Sequence, residues 1–228
     1  MTISGMVKSS FVDFPGLVAC VLFVPGCNYN CFYCHNRSLI DGTHEIMLPG
    51  CVEDFLKRRA SMLDGVVITG GEPTLQPDLM IWMEKIKALG YKIKLDTNGS
   101  SPQTVMDLLK SGLCDYFAVD YKAPSARYRE ICGTMADPGD VLETIDALHE
   151  STARFEVRTT VIPQLAQADM IQMAKELPPV QRYVLNRYRQ PEKYMPIHES
   201  LVSRPPYTQA QMETIAGLVR PYQPNVTL

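Results

Sequence analysis

The stretch "LVACVLFVPGCNYNCFYCHN", residues 17–36, decides how the rest of the chain is read. Its first part, 17–24, is apolar, rich in β-formers and bounded by Gly16 and Pro25. Such a run predicts a strand buried on both faces, the kind found in parallel sheets. Directly after it come Cys27, Cys31 and Cys34, separated by three and then two residues, with no fourth cysteine beside them. A strand that ends in a cluster of thiols puts soft metal-ligating chemistry at its C-terminal end.

The same order of events recurs along the chain. Further strand candidates are "GVVITG" (65–70), "YKIKLDT" (91–97), "DYFAVDY" (115–121), "RFEVRTTVI" (154–162) and "QRYVLNRY" (181–188). Helical spacing of apolar residues falls between them, at about 50–63, 76–89, 102–111, 138–150 and 167–177, and a last helix near 208–219 follows the Pro-rich "SRPPYTQ". Alternating strands and helices predict right-handed crossovers and a parallel α/β sheet. Six such units fit a barrel or an open sheet, and periodicity does not choose between them. With no internal repeat and no boundary signal, a single domain over 1–228 is expected, with a core at about 15–190 and a C-terminal helical extension at about 205–220.

The polar motifs sit at or just past the strand ends: the cysteines after the first, "GGEP" (70–73) after the second, "DTNG" (96–99) after the third and "DYK" (120–122) after the fourth. "RTT" (158–160) lies in the fifth strand and "NRYR" (186–189) ends the sixth. In parallel α/β folds these ends share one rim, where ligands bind. That rim is the predicted active site.

Bulk properties narrow the class. Lys and Arg total 22 against 25 Asp and Glu, a formal charge of -3, so there is no basic footprint for nucleic acid or anionic membrane. No apolar run reaches the roughly 18 residues of a spanning helix. The start, "MTISGMVKSSFVDFPG", lacks the basic and long apolar regions of a secretory signal. Seven cysteines, an odd number, then point to a reducing cytoplasm rather than a disulfide scaffold.

Three thiolates suit zinc or an iron–sulfur cluster. A structural zinc site closes with four ligands, and His35 is the candidate fourth. Adjacent ligands such as Cys34 and His35 wrap one tetrahedral ion with difficulty, however, and the chain has no second CxxC-type pair. Cys20, Cys51, Cys114 and Cys132 read as isolated, Cys20 and Cys114 as small core residues. A [4Fe–4S] cluster with three cysteine ligands leaves one iron open, as a catalytic metal centre needs.

"CNYNCFYC" resembles the signature of the radical S-adenosylmethionine (SAM) superfamily, and "GGEP" its methionine-binding motif. "VDFPG", "YCHN", "DTNG" and "DYK" together resemble the glycyl-radical-enzyme activases. The stretch 9–36 is most similar to the longer-form anaerobic ribonucleoside-triphosphate reductase activating proteins; pyruvate formate-lyase activases usually show "DGPG" where this chain has "DFPG". The resemblance covers about residues 3–190. It implies a partial (β/α)6 TIM-type barrel of parallel strands with a C-terminal helix. It also implies one [4Fe–4S] cluster on Cys27, Cys31 and Cys34, with SAM chelating the remaining iron. An electron from a flavodoxin- or ferredoxin-type donor would cleave SAM, and the 5′-deoxyadenosyl radical would take a glycine hydrogen from a partner glycyl-radical enzyme. No membrane or nucleic-acid partner is implied.

The resemblance assigns further cofactor-binding roles. Tyr33 would lie near the adenine or cover the cluster, and His35 and Asn98 belong to the matching motifs. Gly70 and Gly71 would let backbone approach SAM's methionine end, since a Cβ would clash. Glu72 would be a carboxylate partner or would orient the turn. Asp96 and Asp120 could hold the ribose or a monovalent cation, Thr97 adding an oxygen, and Lys122 could pair with SAM's carboxylate. Arg158, a charge inside an apolar strand, demands a carboxylate partner. Tyr188 stands near where related activases carry a SAM-contacting His, a departure from the pattern. Asp13 could line the groove for the partner's glycine loop or simply close a β-turn. Trp82 reads as core packing. Between the first strand and its helix, "NRSLIDGTHEIMLP" holds no cysteine, so a single cluster is expected. Two other readings stay open: a radical SAM enzyme acting on a small molecule or on a different glycyl-radical enzyme such as pyruvate formate-lyase, and a structural zinc module.

Overall fold

Continuous apolar runs become strands here because both faces are covered, and helices form where the apolar spacing changes to three and four. A computed structural model describes the backbone of residues 1–228 and every side chain except that of Pro49. In chain order the elements are β1 (Gly5–Ser10), β2 (Ala19–Val24), α1 (Arg37–Ile40), α2 (Pro49–Arg59), β3 (Gly65–Gly70), α3 (Leu79–Ala88), β4 (Lys92–Thr97), α4 (Pro102–Ser111), β5 (Tyr116–Asp120), α5 (Tyr128–Cys132), α6 (Pro138–His149), β6 (Phe155–Val161), α7 (Gln167–Glu176), β7 (Tyr183–Arg187), α8 (Glu199–Val202), α9 (Gln209–Val219) and β8 (Val226–Thr227). The strands hydrogen-bond in chain order in one mostly parallel sheet, so the fold is α/β. Every strand and helix expected from the sequence is present, with ends displaced by a few residues at most.

The additions have physical reasons. β1 joins antiparallel to β2 and leaves three of its six residues exposed, so it carries little apolar signal. β8 has two residues, and α1, α5 and α8 four or five, too few to show a period. The contacts of the chain gather into two compact units, with the boundary running through β5.

The first unit comprises Met1–Cys27, Ser38–Thr97 and Gln103–Ala118. Here β2, β3 and β4 run parallel, in a register that sets Val24 beside Gly70 and Ile68 beside Leu95. Phe14, Ala19, Val21, Val67 and Tyr116 make one core cluster, and Trp82 is buried as read from the sequence. Carboxylates tie down backbone N–H groups at or near strand starts. Asp64 Oδ2 accepts the Val18 N–H at 2.9 Å; Asp115 Oδ2 accepts the Ile93 N–H at 2.7 Å and pairs with Lys87 at 2.6 Å.

The second unit comprises Asn28–Arg37, Asn98–Pro102 and Val119–Leu228. β6, β7 and β8 run parallel within it. The buried Thr159 hydroxyl donates to the Tyr121 carbonyl at 2.6 Å and lies 2.9 Å from the Tyr183 hydroxyl. Thr208 and Gln211 form a capping box at the start of α9. Among the described residues no helix is long and apolar enough to cross a membrane.

One side chain secures the C-terminal segment. Gln223 is buried; its Nε2 donates to the carbonyls of Ala174 (3.1 Å), Leu177 (3.3 Å) and Pro178 (3.0 Å), and its Oε1 accepts the Val180 N–H at 3.0 Å. Removing it orphans buried backbone groups, at a cost of about 2–3 kcal/mol. Gln223→Ala should therefore lower the urea midpoint with an unchanged slope, as followed by circular dichroism.

Candidate active site

In the first unit the "GGEP" turn is built against the end of β2. The Gly71 N–H donates to the Val24 carbonyl at 2.8 Å and the Glu72 N–H to the Gly26 carbonyl at 2.7 Å. A Cβ on Gly71 would lie 1.9 Å from the Gly26 oxygen, and one on Gly70 would lie 2.4 Å from the Val24 nitrogen. Backbone-to-backbone approach thus already requires both glycines, a reason that the approach of a cofactor would only add to.

Glu72 is fully buried, and its Oε1 accepts from the Thr74 N–H (3.0 Å), the Thr74 hydroxyl (2.6 Å) and the Thr97 hydroxyl (2.7 Å). Of its two sequence readings, the turn-orienting one matches this geometry, and the Thr97 hydroxyl proton is committed to it. Asp96 pairs with Lys94 at 3.1 Å, and Lys94, 2% exposed, also donates to the Asp13 carbonyl at 2.6 Å. Lys94 was not singled out from the sequence. Its position two residues before Asp96, on the same strand face, was the available signal. The Ser10 hydroxyl donates to the Asp13 carboxylate, and Ser10 Oγ accepts the Val12 and Asp13 N–H groups at 3.3 Å. Asp13 therefore closes a turn, with Phe11 and Val12 exposed at its tip.

In the second unit the loop that carries Cys31 and Cys34 is braced by amides. Asn98 Nδ2 donates to Asn28 Oδ1 at 2.9 Å and Asn28 Nδ2 to the Ser100 hydroxyl at 2.8 Å; the Asn30 N–H meets the Cys132 carbonyl at 2.8 Å. Arg37, buried, donates to Asn30 Oδ1. Cys31, Phe32 and Tyr33 are buried, Cys34 is half-buried and His35 is exposed. Cys132 is not isolated: its carbonyl takes the Asn30 N–H of the cysteine loop, and its thiol lies near enough to act on that of Cys31, an adjacency that two positions so far apart in sequence could not announce.

Asp120 is the charge centre of this unit. Its Oδ1 accepts Arg158 Nε at 3.0 Å and its Oδ2 accepts Lys122 Nζ at 3.0 Å, so Arg158 has the carboxylate its strand position demands. Burial alone would raise the Asp120 carboxyl; Arg158 and Lys122 outweigh it and hold the pKa down to about 2. Burial would lower Lys122, but Asp120 above all keeps it well above the ordinary value. The Cys31 thiol is pushed up, first by the neighbouring Cys132 thiol and then by burial; Cys34 is pushed up by burial and by Cys31. Tyr188 does not join these groups: its hydroxyl donates to the Val202 carbonyl at 2.8 Å.

The Tyr33 hydroxyl is buried and has no hydrogen-bond partner among the described residues, although Cys31, Lys122 and Asp120 are near enough to act on it electrostatically. Buried hydroxyls are normally satisfied, so this one points to a polar group that binds there. Among the described residues no cysteine is in a disulfide, and no three His, Cys, Asp or Glu side chains converge as ligands of one ion would.

Residues 21–177 match the family model of the radical SAM superfamily. The chain belongs to that superfamily. SAM and a [4Fe–4S] cluster are the cofactors the superfamily implies, and the soft thiol donors with an unsatisfied hydroxyl beside Cys31 fit such a pair. Among relatives, a Methanocaldococcus jannaschii protein described as a "Putative glycyl-radical enzyme activating enzyme" is 29% identical over 99% of this chain and 95% of its own. A 7-carboxy-7-deazaguanine synthase of Thermococcus kodakarensis is 32% identical over 46% of this chain and 49% of its own. Among solved structures, Streptococcus suis SuiB bound to S-adenosylmethionine shares the fold, with a TM-score of 0.68 at 18% identity over 89% of this chain and 48% of that one.

The ion-pair geometry sets a pH dependence. Because the Asp120 pKa is depressed, its stabilisation is fully present above the unfolded carboxylate value of about 3.9 and is lost as pH falls towards about 2. Asp120 is one-third exposed, so solvent screening reduces the effect. Asp120→Asn should cost about 1–3 kcal/mol at pH 7 by leaving two cations without their carboxylate. It should also flatten the acid limb of a urea-stability profile below about pH 4.

Proposed function

We propose that this chain is an activating enzyme that installs a glycyl radical on a partner enzyme, and that the partner is an anaerobic ribonucleoside-triphosphate reductase. The supporting observation is the match to the M. jannaschii relative along nearly all of both chains, where the deazaguanine synthase match covers about half of each. The motifs "DFPG" and "YCHN" narrow the partner.

In this reading Cys27, Cys31 and Cys34 hold three irons, and a flavodoxin- or ferredoxin-type protein supplies the electron. Cluster and SAM, when bound, supply one-electron cleavage of the sulfonium C–S bond and so a carbon radical able to abstract hydrogen. The chain orients and shields. Tyr33 offers its unsatisfied hydroxyl to a polar atom of the bound group, and Phe32 and Tyr33 exclude water. Lys122 pairs with SAM's carboxylate while Asp120, itself held by Arg158, fixes the Lys122 ammonium. Asp96 already faces the Lys94 ammonium, so a ribose hydroxyl suits it better than a monovalent cation, which Lys94 would repel. His35, exposed, stays at the margin of the site, and Asn98 acts through Asn28 by holding the cysteine loop.

The test is anaerobic: reconstitute with iron and sulfide, reduce, add SAM and an anaerobic ribonucleotide reductase, and record the electron paramagnetic resonance spectrum. A glycyl-radical doublet that requires both this protein and SAM is expected. 5′-Deoxyadenosine without a doublet would remove the reductase as partner and favour a small-molecule substrate. Iron should count about four per chain, one cluster's worth; about eight would refute a single cluster. Cys31→Ala should lose the cluster and reduce SAM cleavage to background, and retained cleavage would sink the ligand assignment.

A further inference from the structure

The "NRYR" motif and the Pro-rich "SRPPYTQ" connector meet in the second unit, and the chemistry above uses neither arginine of the motif. Past the C-terminal end of β7, Asn186, Arg187, Tyr188, Arg189 and Pro206 line a cavity of about 500 Å³. Arg187 is fixed there, its Nε donating to the Tyr207 carbonyl at 2.7 Å. Tyr207 is fixed in turn: its hydroxyl donates to the Leu165 carbonyl at 2.7 Å, and its neighbour Thr208 caps α9. Between the two arginines Tyr188 is 1% exposed and anchored on the Val202 carbonyl, which holds the backbone that carries both. Elsewhere in the unit Arg127, Arg158 and Arg182 each meet a carboxylate, at 2.6, 3.0 and 3.5 Å. Among the described residues Arg187 and Arg189 meet none, and no Asp or Glu lines their cavity.

We propose that Arg187 and Arg189 form a subsite for an oxyanion, and that the oxyanion is an Asp or Glu carboxylate of the partner polypeptide. The proposal rests on the reading that the partner is a protein. Both guanidiniums stay charged at any working pH, and two like charges lining one cavity repel each other until an anion meets them. With Nε spent on Tyr207, Arg187 keeps four N–H donors on its terminal nitrogens, and that fork matches a carboxylate. The Asn186 amide at the same cavity adds a neutral donor. Asn186, Arg187 and Arg189 are all exposed, so the cavity is open. A small molecule there would leave much of its surface wet, whereas specific small-molecule sites bury most of their ligand. An acidic side chain carried on a larger surface has no such need, because the surrounding contact shields it. The cavity also lies at a strand C-terminal end, where parallel α/β folds meet what they bind.

The experiment follows glycyl-radical formation by electron paramagnetic resonance as the reductase concentration is varied. It compares reconstituted wild-type protein, Arg187→Gln, Arg189→Gln and the double variant. Each single substitution should raise KM for the reductase about threefold, and the double one further, with kcat unchanged, because an exposed charge acts on encounter rather than on chemistry. Added salt should raise the wild-type KM and leave that of the double variant nearly unmoved. A double variant with unchanged KM overturns this proposal alone, as does a fall in kcat without a rise in KM or a wild-type KM that ignores salt. Calorimetry with inorganic pyrophosphate covers a small-molecule source: binding that the double variant loses while its KM stays the same gives the cavity to a phosphate and overturns the partner carboxylate. Wild-type protein that forms 5′-deoxyadenosine but no doublet overturns the proposed function first, and this proposal with it.

Discussion

Parallel pairing of β2 with β3 is the constraint on which the first unit depends. The register that sets Val24 beside Gly70 brings the chain after β3 directly onto the chain after β2. The next two N–H groups then bond the Val24 and Gly26 carbonyls, leaving no room for a Cβ on either glycine. The departure of the cysteine segment at Cys27 and the course of the "GGEP" turn are thus one backbone arrangement. Glu72 completes it by collecting three donors on a single buried oxygen, so that loss of the carboxylate would break three hydrogen bonds at once.

The second unit is organised by charge. Asp120 joins Lys122 and Arg158 in one partly buried charge cluster. Cys31 and Cys34 lie close enough for the Lys122 charge to act on both thiols. In the proposed reading, a thiolate that ligates iron would gain from that cation.

Much of this was legible in the sequence, and the misses share a cause. The strand beginning near Leu17 and the helix before Gly90 announced themselves because burial imposes a period on many consecutive residues. The demand that Arg158 find a carboxylate was readable because a lone charge in an apolar strand has few solutions. β1, β8 and α5 were not readable, since a half-exposed or very short element leaves no period. Cys132 and Lys94 were missed for a different reason: their importance lies in what they touch, and the bond between the Cys132 carbonyl and the Asn30 N–H depends on the whole course of the chain. Lys94 was the nearer miss, because the i, i+2 rule already placed it beside Asp96.

The polar residues singled out from the sequence divide by whether their hydrogen bonds are already spent. Thr97 gives its proton to Glu72, Asn98 its amide to Asn28, and Tyr188 its hydroxyl to Val202. Thr97 and Tyr188, each with a single hydroxyl proton, would have to give up an internal bond to donate to a ligand, and the exchange yields little net free energy. Tyr33 gives up nothing, because its hydroxyl is buried and unsatisfied before anything binds. Lys122 gives one of its three donors to Asp120 and retains two. In the proposed reading, cofactor recognition within the second unit would rest on Tyr33 and Lys122, while Asn98 and Tyr188 serve the fold. A group with a donor still to give binds without first breaking an internal bond, so its contribution is not lost to rearrangement.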